Sequence, residues 1–498
     1  MNMQQRRACR HALREIFGVA DYRPGQKAAA SCLLSGRDLM CILPTGAGKS
    51  LCWQLPAVVH EGLTLVVSPL IALMQDQVRG LRCRGIPSVT LNSLMSAQEQ
   101  REAERQIRAG EVRILFVSPE RLESGGLLRL MEQMKPWLLV VDEAHCVVQW
   151  GDSFRKAYSR IGDFLRCLTF RPVICAMTAT ADGAMQRRIA QSLGMRKCRR
   201  VMLSVLRPNL RYTMRTTASS TREILRLAVE QPCRTVVFCR SRNRTEALAE
   251  ELRRAGVNAV HYHAGMDRDF RSAVQDAFAS GAIQVLTATT AFGMGVDIPD
   301  IRRVIHDALP DSITELVQRS GRAGRDGEDA DVILLFSPQE LAFCSSLLMA
   351  RYLQTRWQPL ARLRVVRSEW LPMRAMLKLL LGGGCIPQGI AATFGQRVQR
   401  CGCCSACLNH PGPVRVPPLP RMNETELLMW LLTWQRDALA HQQGVQPDAV
   451  LPRQALRQLA LGKRRLPDVP DGTLRHFLPL VRAMTQEQSS PGRTEDKD

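Results

Sequence analysis

A chain of 498 residues exceeds one ordinary domain and has room for several hydrophobic cores, so three or four domains are expected. Apolar residues make up 45% of it, yet no run approaches the roughly 18 uninterrupted apolar positions of a membrane span, so no membrane association is expected. The 68 Lys and Arg outnumber the 46 Asp and Glu, a formal charge of +22 that attracts polyanions and makes nucleic acid the natural partner, although a basic surface alone is also consistent with simple solubility.

The first segment, MNMQQRRACRHALREIFG, lacks the apolar stretch and small-residue cleavage site of a secretory signal. Most of the 17 cysteines are scattered singly through apolar segments, as reduced thiols are. Both features point to a cytoplasmic protein, nucleoid-associated if the source is bacterial.

Further along, short β-branched runs alternate with helical patterns. LTLVVSP (63–69), VRILFVSP (112–119), WLLVVDEAH (137–145) and PVICAMTAT (172–180) read as strands of a parallel sheet wrapped by helices. A second series follows Arg207-Pro208-Asn209: TVVFCRS (235–241), AVHYHAG (259–265), IQVLTATT (283–290) and RRVIHDALP (302–310). Two α/β domains in tandem are implied. Strand signal fades beyond about residue 340, where a Cys-rich cluster, the Pro-rich HPGPVRVPPLP (410–420), a small helical unit and a polar tail follow.

Leu43-Pro-Thr-Gly-Ala-Gly-Lys-Ser50 lies between the apolar run DLMCIL and a helical segment, the setting of a phosphate loop. The positions Thr45, Gly46, Ala47 and Gly48 bring backbone amides around phosphate oxygens. Lys49 supplies a point charge for the terminal phosphates, and Ser50 is a ligand for Mg2+. A strict GxxxxGKS pattern has Gly where Leu43 stands. Asp142-Glu-Ala-His145 ends an apolar strand, placing its carboxylates at the sheet edge where open α/β sheets bind ligands. Asp142 is then the second Mg2+ ligand and Glu143 the group that orients attacking water, so ATP hydrolysis is the inferred reaction. In the second domain, Gln318-Arg-Ser-Gly-Arg-Ala-Gly-Arg-Asp-Gly327 carries Arg322 and Arg325, candidates to reach the γ-phosphate across a cleft; Arg325 is favoured as the finger and Gln318 as a coupling residue. Seen alone, it also reads as a solvated basic turn.

These segments in order resemble the motifs of the RecQ family of superfamily 2 DNA helicases, over roughly residues 10–410. The PTGAGKS variant is usual in that superfamily. Tyr22-Arg23-Pro-Gly-Gln26 resembles the element upstream of the phosphate loop, which implies that Tyr22 and Arg23 border the nucleotide and that Gln26 reads the adenine edge. SPLIALMQDQV (68–78) and SPERL (118–122) resemble strand-tracking motifs, and MTATA (177–181) the element linking hydrolysis to domain movement. AFGMGVDIPD (291–300) resembles a motif in which Asp297 partners the nucleotide ribose. Gln149-Trp-Gly-Asp-Ser-Phe-Arg155 resembles the family's aromatic-rich coupling loop, with Trp150 and Phe154 placed to stack on unpaired bases and Arg155 to add charge. The family usually reads QWGHDFRP there, so Asp152, Ser153 and Lys156 are departures. Packing of Trp150 and Phe154 in the core is the alternative.

Cys385, Cys401, Cys404 and Cys407 are spaced C-x15-C-x2-C-x2-C, close to the family's zinc-binding helical subdomain, and four thiolates complete a closed, structural Zn2+ site. Cys403 is a neighbour that competes for the metal. The C-terminal segments LLMWLLTWQRDALAHQQ and LPDVPDGTLRHFLPLVRAM are similar to an HRDC domain, while the space left is small for the family's winged helix.

The expected organisation is a RecA-like ATP-binding domain (1–208), a second RecA-like domain (209–340), a helical zinc-binding subdomain (341–409), a Pro-rich linker (410–422), an HRDC-like domain (423–487) and a disordered tail (488–498). The fold class is α/β in two parallel-sheet domains, followed by two small helical ones. The resemblance implies an ATP- and Mg2+-dependent 3′–5′ helicase acting on single-stranded, tailed or forked DNA in recombination and repair. Two other readings are an annealing or remodelling ATPase that does not unwind and an RNA-dependent ATPase.

Overall fold

In the computed structural model the described residues are 1–69, 71–147, 157–158, 160–292, 298–336, 371–408, 445–461, 463 and 466–485, with 429, 432–433, 436, 439–440 and 443 between them. They divide into two compact units, one of residues 1–336 with 382–411, the other of 337–381 with 412–498.

The first unit holds two sheets. One comprises β1 (Leu39–Ile42), β2 (Thr64–Val67), β3 (Ser88–Leu91), β4 (Ile114–Val117), β5 (Leu138–Val141), β6 (Val173–Thr178) and β7 (Arg199–Met202), in the order β3-β4-β2-β5-β6-β1-β7. The other comprises β8 (Leu210–Thr216), β9 (Thr235–Phe238), β10 (Ala259–Tyr262), β11 (Val285–Ala288), β12 (Arg303–His306) and β13 (Ala330–Phe336), in the order β10-β11-β9-β12-β13-β8. Every pairing is parallel.

Parallel strands need crossover helices, which cover both sheet faces and demand apolar residues on each. The first sheet shows this residue by residue. Met40, Ile42, Leu65, Val67, Leu139 and Val141 enter one core, while Leu39, Cys41, Val66, Leu138 and Val140 enter the other. Successive side chains point to opposite faces, so each strand reads as an unbroken apolar run. The crossover helices are started by polar caps: Ser96 and Glu99 form a reciprocal capping box, and the Asp182 and Ser241 side chains accept from Met185 N and Arg244 N.

The eight strand segments expected from sequence all contain a strand. Five further strands complete the sheets: β1, on the apolar run DLMCIL, and β3, β7, β8 and β13, of which three are edges.

One buried carboxylate ties the start of β1 to its neighbours. The Asp38 side chain accepts from the Arg171 guanidinium at 2.5 and 3.2 Å, from Ile174 N at 3.0 Å and from Arg196 N at 2.5 Å. Its side chain is 1% exposed against 33% for Arg171.

The second unit has its own apolar core, built on Leu432, Leu451, Leu456, Leu459, Leu474 and Phe477. Its helices include Leu371–Leu381, Arg453–Ala460 and Asp471–Thr485. The Pro-rich segment and the polar tail lie outside the described residues. Among the described residues no helix is long and apolar enough to cross a membrane.

Removing the Asp38 carboxylate takes the acceptor from two amides and the counter-charge from Arg171. Asp38→Ala should cost about 3 kcal/mol, seen as a lower urea midpoint for loss of helical circular dichroism with native structure retained in buffer; an unchanged midpoint would refute the anchoring role.

Candidate nucleotide site and thiolate cluster

Strands β5, β6 and β1 are neighbours, so their C-terminal ends meet at one edge. The segment leaving β1 is tied to β6 by Leu43 N donating to Thr178 O, and Asp142 N donates to Val67 O at the end of β2. The loop after Ile42 turns through Gly46 (φ 82°) and Gly48 (φ 73°) into the helix Leu51–Val59. This left-handed backbone suits glycine, and it turns amides toward the space above the helix N-terminus.

The segment 22–26 packs onto the loop. Gln26, which is buried, donates from Nε2 to Gly48 O at 3.1 Å and accepts from Arg23 N at Oε1, while Arg23 Nη1 donates to Gly46 O at 2.9 Å. With φ at 73° and a built Cβ 2.6 Å from Gln26 Nε2, a side chain at Gly48 would strain the backbone and displace the Gln26 amide. Beside this contact opens a cavity of about 400 Å3, lined by Phe17, Val19, Arg23, Gln26, Ser50 and Gln54 among others. Its size and mixed lining suit a purine base. Tyr22 instead packs into the apolar cluster around Cys9, Leu13 and Leu55, and burial there pushes its hydroxyl up to about 12.

At the end of β5 the two carboxylates differ. Burial, reinforced by the Glu143 charge, pushes Asp142 up to about 6. Burial alone would raise Glu143 too, but Lys49, His145 and Arg322 outweigh it and lower that carboxyl. Glu143 also has a left-handed backbone (φ 47°), which costs a non-glycine residue roughly 1–2 kcal/mol. Its amide donates to Asp142 Oδ1 at 3.0 Å, and the Tyr158 hydroxyl donates to Asp142 O.

His145 is a functional candidate not singled out from sequence. Its Nδ1 lies 3.1 Å from Thr178 Oγ1 and 3.3 Å from Glu143 Oε2, so it links Glu143 to the end of β6. Thr178 in turn donates to Thr180 O, inside the MTATA segment. The signal available was the fourth letter of DEAH.

From the second sheet, the helix Ile313–Ser320 delivers the segment 321–327 against the phosphate loop. Thr45 Oγ1 donates to Gly321 O at 3.0 Å, and a Cβ on Gly46 would meet Arg325 Cγ at 3.5 Å. Arg207 Nη1 donates to Ala323 O at 2.8 Å, and its Nη2 donates to Gly324 O, fixing the turn that carries Arg325. Thus Lys49 and Arg322 lie near enough to Glu143 for their charges to act on it, and Arg325 reaches the loop at Gly46. Gln318 is half-buried on the helix leading into the segment 321–327. Asp297, Trp150, Phe154 and Arg155 lie outside the described residues.

The thiols of Cys385, Cys401, Cys404 and Cys407 all lie within 4.8 Å of one another, with Sγ separations of 3.7 Å for 385–401 and 4.0 Å for 401–407. A tetrahedron of zinc–sulfur bonds has edges of about 3.8 Å, so the cluster is compatible with zinc. The neighbouring Cys403 is exposed and is not in the group. Cys401 N and Cys404 N point at Cys385 Sγ and Cys401 Sγ, as amides around thiolates do.

This segment seats on the second sheet. Ser405 N donates to Tyr212 O, and Ser405 Oγ accepts from Met214 N, which satisfies the open side of edge strand β8. Gln396 accepts from Val205 N and donates to Leu203 O, gripping the chain between the two sheets.

Two parallel-sheet lobes with a phosphate loop on one and an arginine-bearing turn from the other define a DEAD/DEAH-type helicase core. The family model "DEAD/DEAH box helicase" matches residues 23–188, and "Helicase conserved C-terminal domain" matches 218–327. The ATP-dependent DNA helicase RecQ of Synechocystis sp. is 38% identical over 344 residues, covering 67% of this chain and 72% of that protein. The chain therefore belongs to the RecQ family. RecQ of Haemophilus influenzae is 38% identical over 68% of this chain and 55% of its own length, and RecQ of Bacillus subtilis 35% over 79% and 66%. The chain thus spans little more than half of the Haemophilus relative. Among solved structures, the helicase MrfA bound to DNA and AMPPNP superimposes with a TM-score of 0.58 at 21% identity, over 70% of this chain and 53% of that one, a likeness of fold.

If the thiolates hold the 385–407 segment in place, stripping metal with a chelator should speed hydrogen exchange at Met214 and Ser405 by about tenfold or more, with Val66 and Val140 of the first sheet still protected. Unchanged exchange at those two amides would show that the seat does not depend on metal.

Proposed function

We propose that the chain is an ATP-dependent DNA helicase whose two lobes close on ATP and reopen after its hydrolysis, advancing it along single-stranded DNA. The observation that carries this reading is the approach of Arg325 to Gly46, alongside the Thr45–Gly321 hydrogen bond. Residues from both lobes then border one nucleotide, as a machine coupling hydrolysis to lobe movement requires.

The roles follow from charge and position. Thr45, Gly46, Ala47 and Gly48 wrap the phosphates, with Lys49 balancing their charge. Ser50 and Asp142 would hold Mg2+, which supplies neutralisation of phosphate charge when bound. Ser50 and Asp142 offer the oxygen donors Mg2+ takes, and the loop lies at the helix N-terminus that phosphates favour. Glu143 is the acceptor that orients water, kept ionised by Lys49, His145 and Arg322. Arg325 stabilises charge on the transferred phosphoryl group, with Arg322 beside it, Gln318 couples the helix to the cleft, and Asp297 contacts the ribose. Phe17, Gln26 and Arg23 border the base.

The His145–Thr178 bond supports a route for nucleotide state into the MTATA segment. Binding to DNA rests on the charge of +22, on Trp150, Phe154 and Arg155 as stacking and charged groups, and on the family's printed activity. Movement is proposed to be 3′ to 5′, on tailed or forked substrates in recombination and repair in the cytoplasm, as the resemblance implies. Zn2+ at the four thiolates serves to hold the 385–407 segment, and residues 423–487 act as an HRDC-like accessory domain.

The test is displacement of a 3′-tailed duplex together with single-strand-stimulated ATP hydrolysis, in wild type and Lys49→Ala. Both should fall by about 100-fold or more in the variant. Hydrolysis without displacement in the wild type would favour an annealing or remodelling ATPase, stimulation by RNA alone an RNA-dependent one, and no hydrolysis would refute the motor.

A further inference from the structure

A second group of ligand-type side chains lies in the second lobe, on residues the nucleotide cleft does not use. We infer that Glu246, His261 and His263 form a binding site for a divalent transition-metal ion. His261 lies in β10 and His263 directly follows it; two residues apart in extended chain, they project to the same side. Their rings stack at 5.4 Å between centroids, 14° from parallel. Glu246 comes from the helix Arg242–Arg254, and its Oε1 lies 2.8 Å from His263 Nε2. One donor atom from each of the three falls within 4.8 Å of the others.

Two observations favour a metal over a simple ring–carboxylate pair. Nδ1 of His261 is buried and lacks a hydrogen-bond partner among the described residues, a costly state that an ion bound at that atom relieves. The 2.8 Å separation matches adjacent donors at bonds of about 2.0–2.2 Å. The Glu246 side chain is half exposed, so the group opens to solvent on that side.

The surroundings select the class of ion. A Cβ on Gly265 would stand 2.8 Å from Arg242 Nη1 and 3.3 Å from His263 Nδ1, so a guanidinium approaches the cluster, and Arg253 also acts on His261. With one carboxylate against these cations, Coulomb attraction cannot hold Mg2+ or Ca2+. Two imidazoles and a carboxylate instead suit Zn2+, Co2+ or Fe2+, with positions left open for water or an anion. Bound there, the ion would staple edge strand β10 to the helix beneath it.

The test is titration of metal-stripped full-length protein with Co2+, following thiolate-to-cobalt charge transfer and the d–d bands separately. About two equivalents should bind, the second raising d–d absorption without further charge transfer. Glu246→Gln and His261→Asn, both at partly exposed positions, should each remove that second equivalent and leave the thiolate signal intact. One equivalent in the wild type would overturn the inference. So would a second equivalent that survives both substitutions, or one displaced by excess Mg2+.

Discussion

Three neighbouring parallel strands, β5, β6 and β1, end at one sheet edge, and the chemistry of the first lobe depends on that adjacency. It sets the 43–50 loop beside Asp142 and Glu143, and it brings Thr178 within reach of His145. Because strand order rather than sequence distance makes these neighbours, the Asp38 anchor between β1 and β6 bears on the site without touching it. A slip of one residue would exchange the two cores and turn every functional side chain to the wrong face.

The second constraint is where the other lobe meets the loop. Arg207, between the sheets, holds the backbone of the turn 321–324, and that turn holds Thr45 and sets Arg325 over Gly46. Gln396 grips the same inter-sheet segment two residues upstream of Arg207, at Val205, and belongs to the stretch carrying the thiolates. The thiolate cluster and the cleft are therefore joined through a few residues of connecting chain. A structural metal at the cluster would steady the joint on which the proposed lobe movement turns.

Much of this was legible in the sequence because the inner strands of a parallel sheet are apolar on both faces. WLLVV and TVVF could hardly be anything else. Two of the edge strands were not legible for the converse reason. β7 reads RRVM with three exposed residues, and β8 reads LRYTMRT, so neither carries an apolar run. β13, ADVILLF, has the inner-strand pattern and was there to be read. The phosphate loop, the carboxylates and the four cysteines are local motifs and needed no tertiary knowledge. His145 meets Thr178, 33 residues away, and Gln26 is committed to a loop carbonyl, so their contacts follow only from the fold. The Glu246–His261–His263 group joins a helix to an edge strand and has no linear signature.

The central claim is that the second lobe completes a nucleotide site built on the first. Its most direct test is Arg325→Ala, measuring binding of a fluorescent ATP analogue alongside DNA-stimulated hydrolysis. Binding should change by only a few-fold while kcat falls about a thousandfold, because the guanidinium is proposed to act on charge that develops in the transition state. Hydrolysis at the wild-type rate would contradict the account.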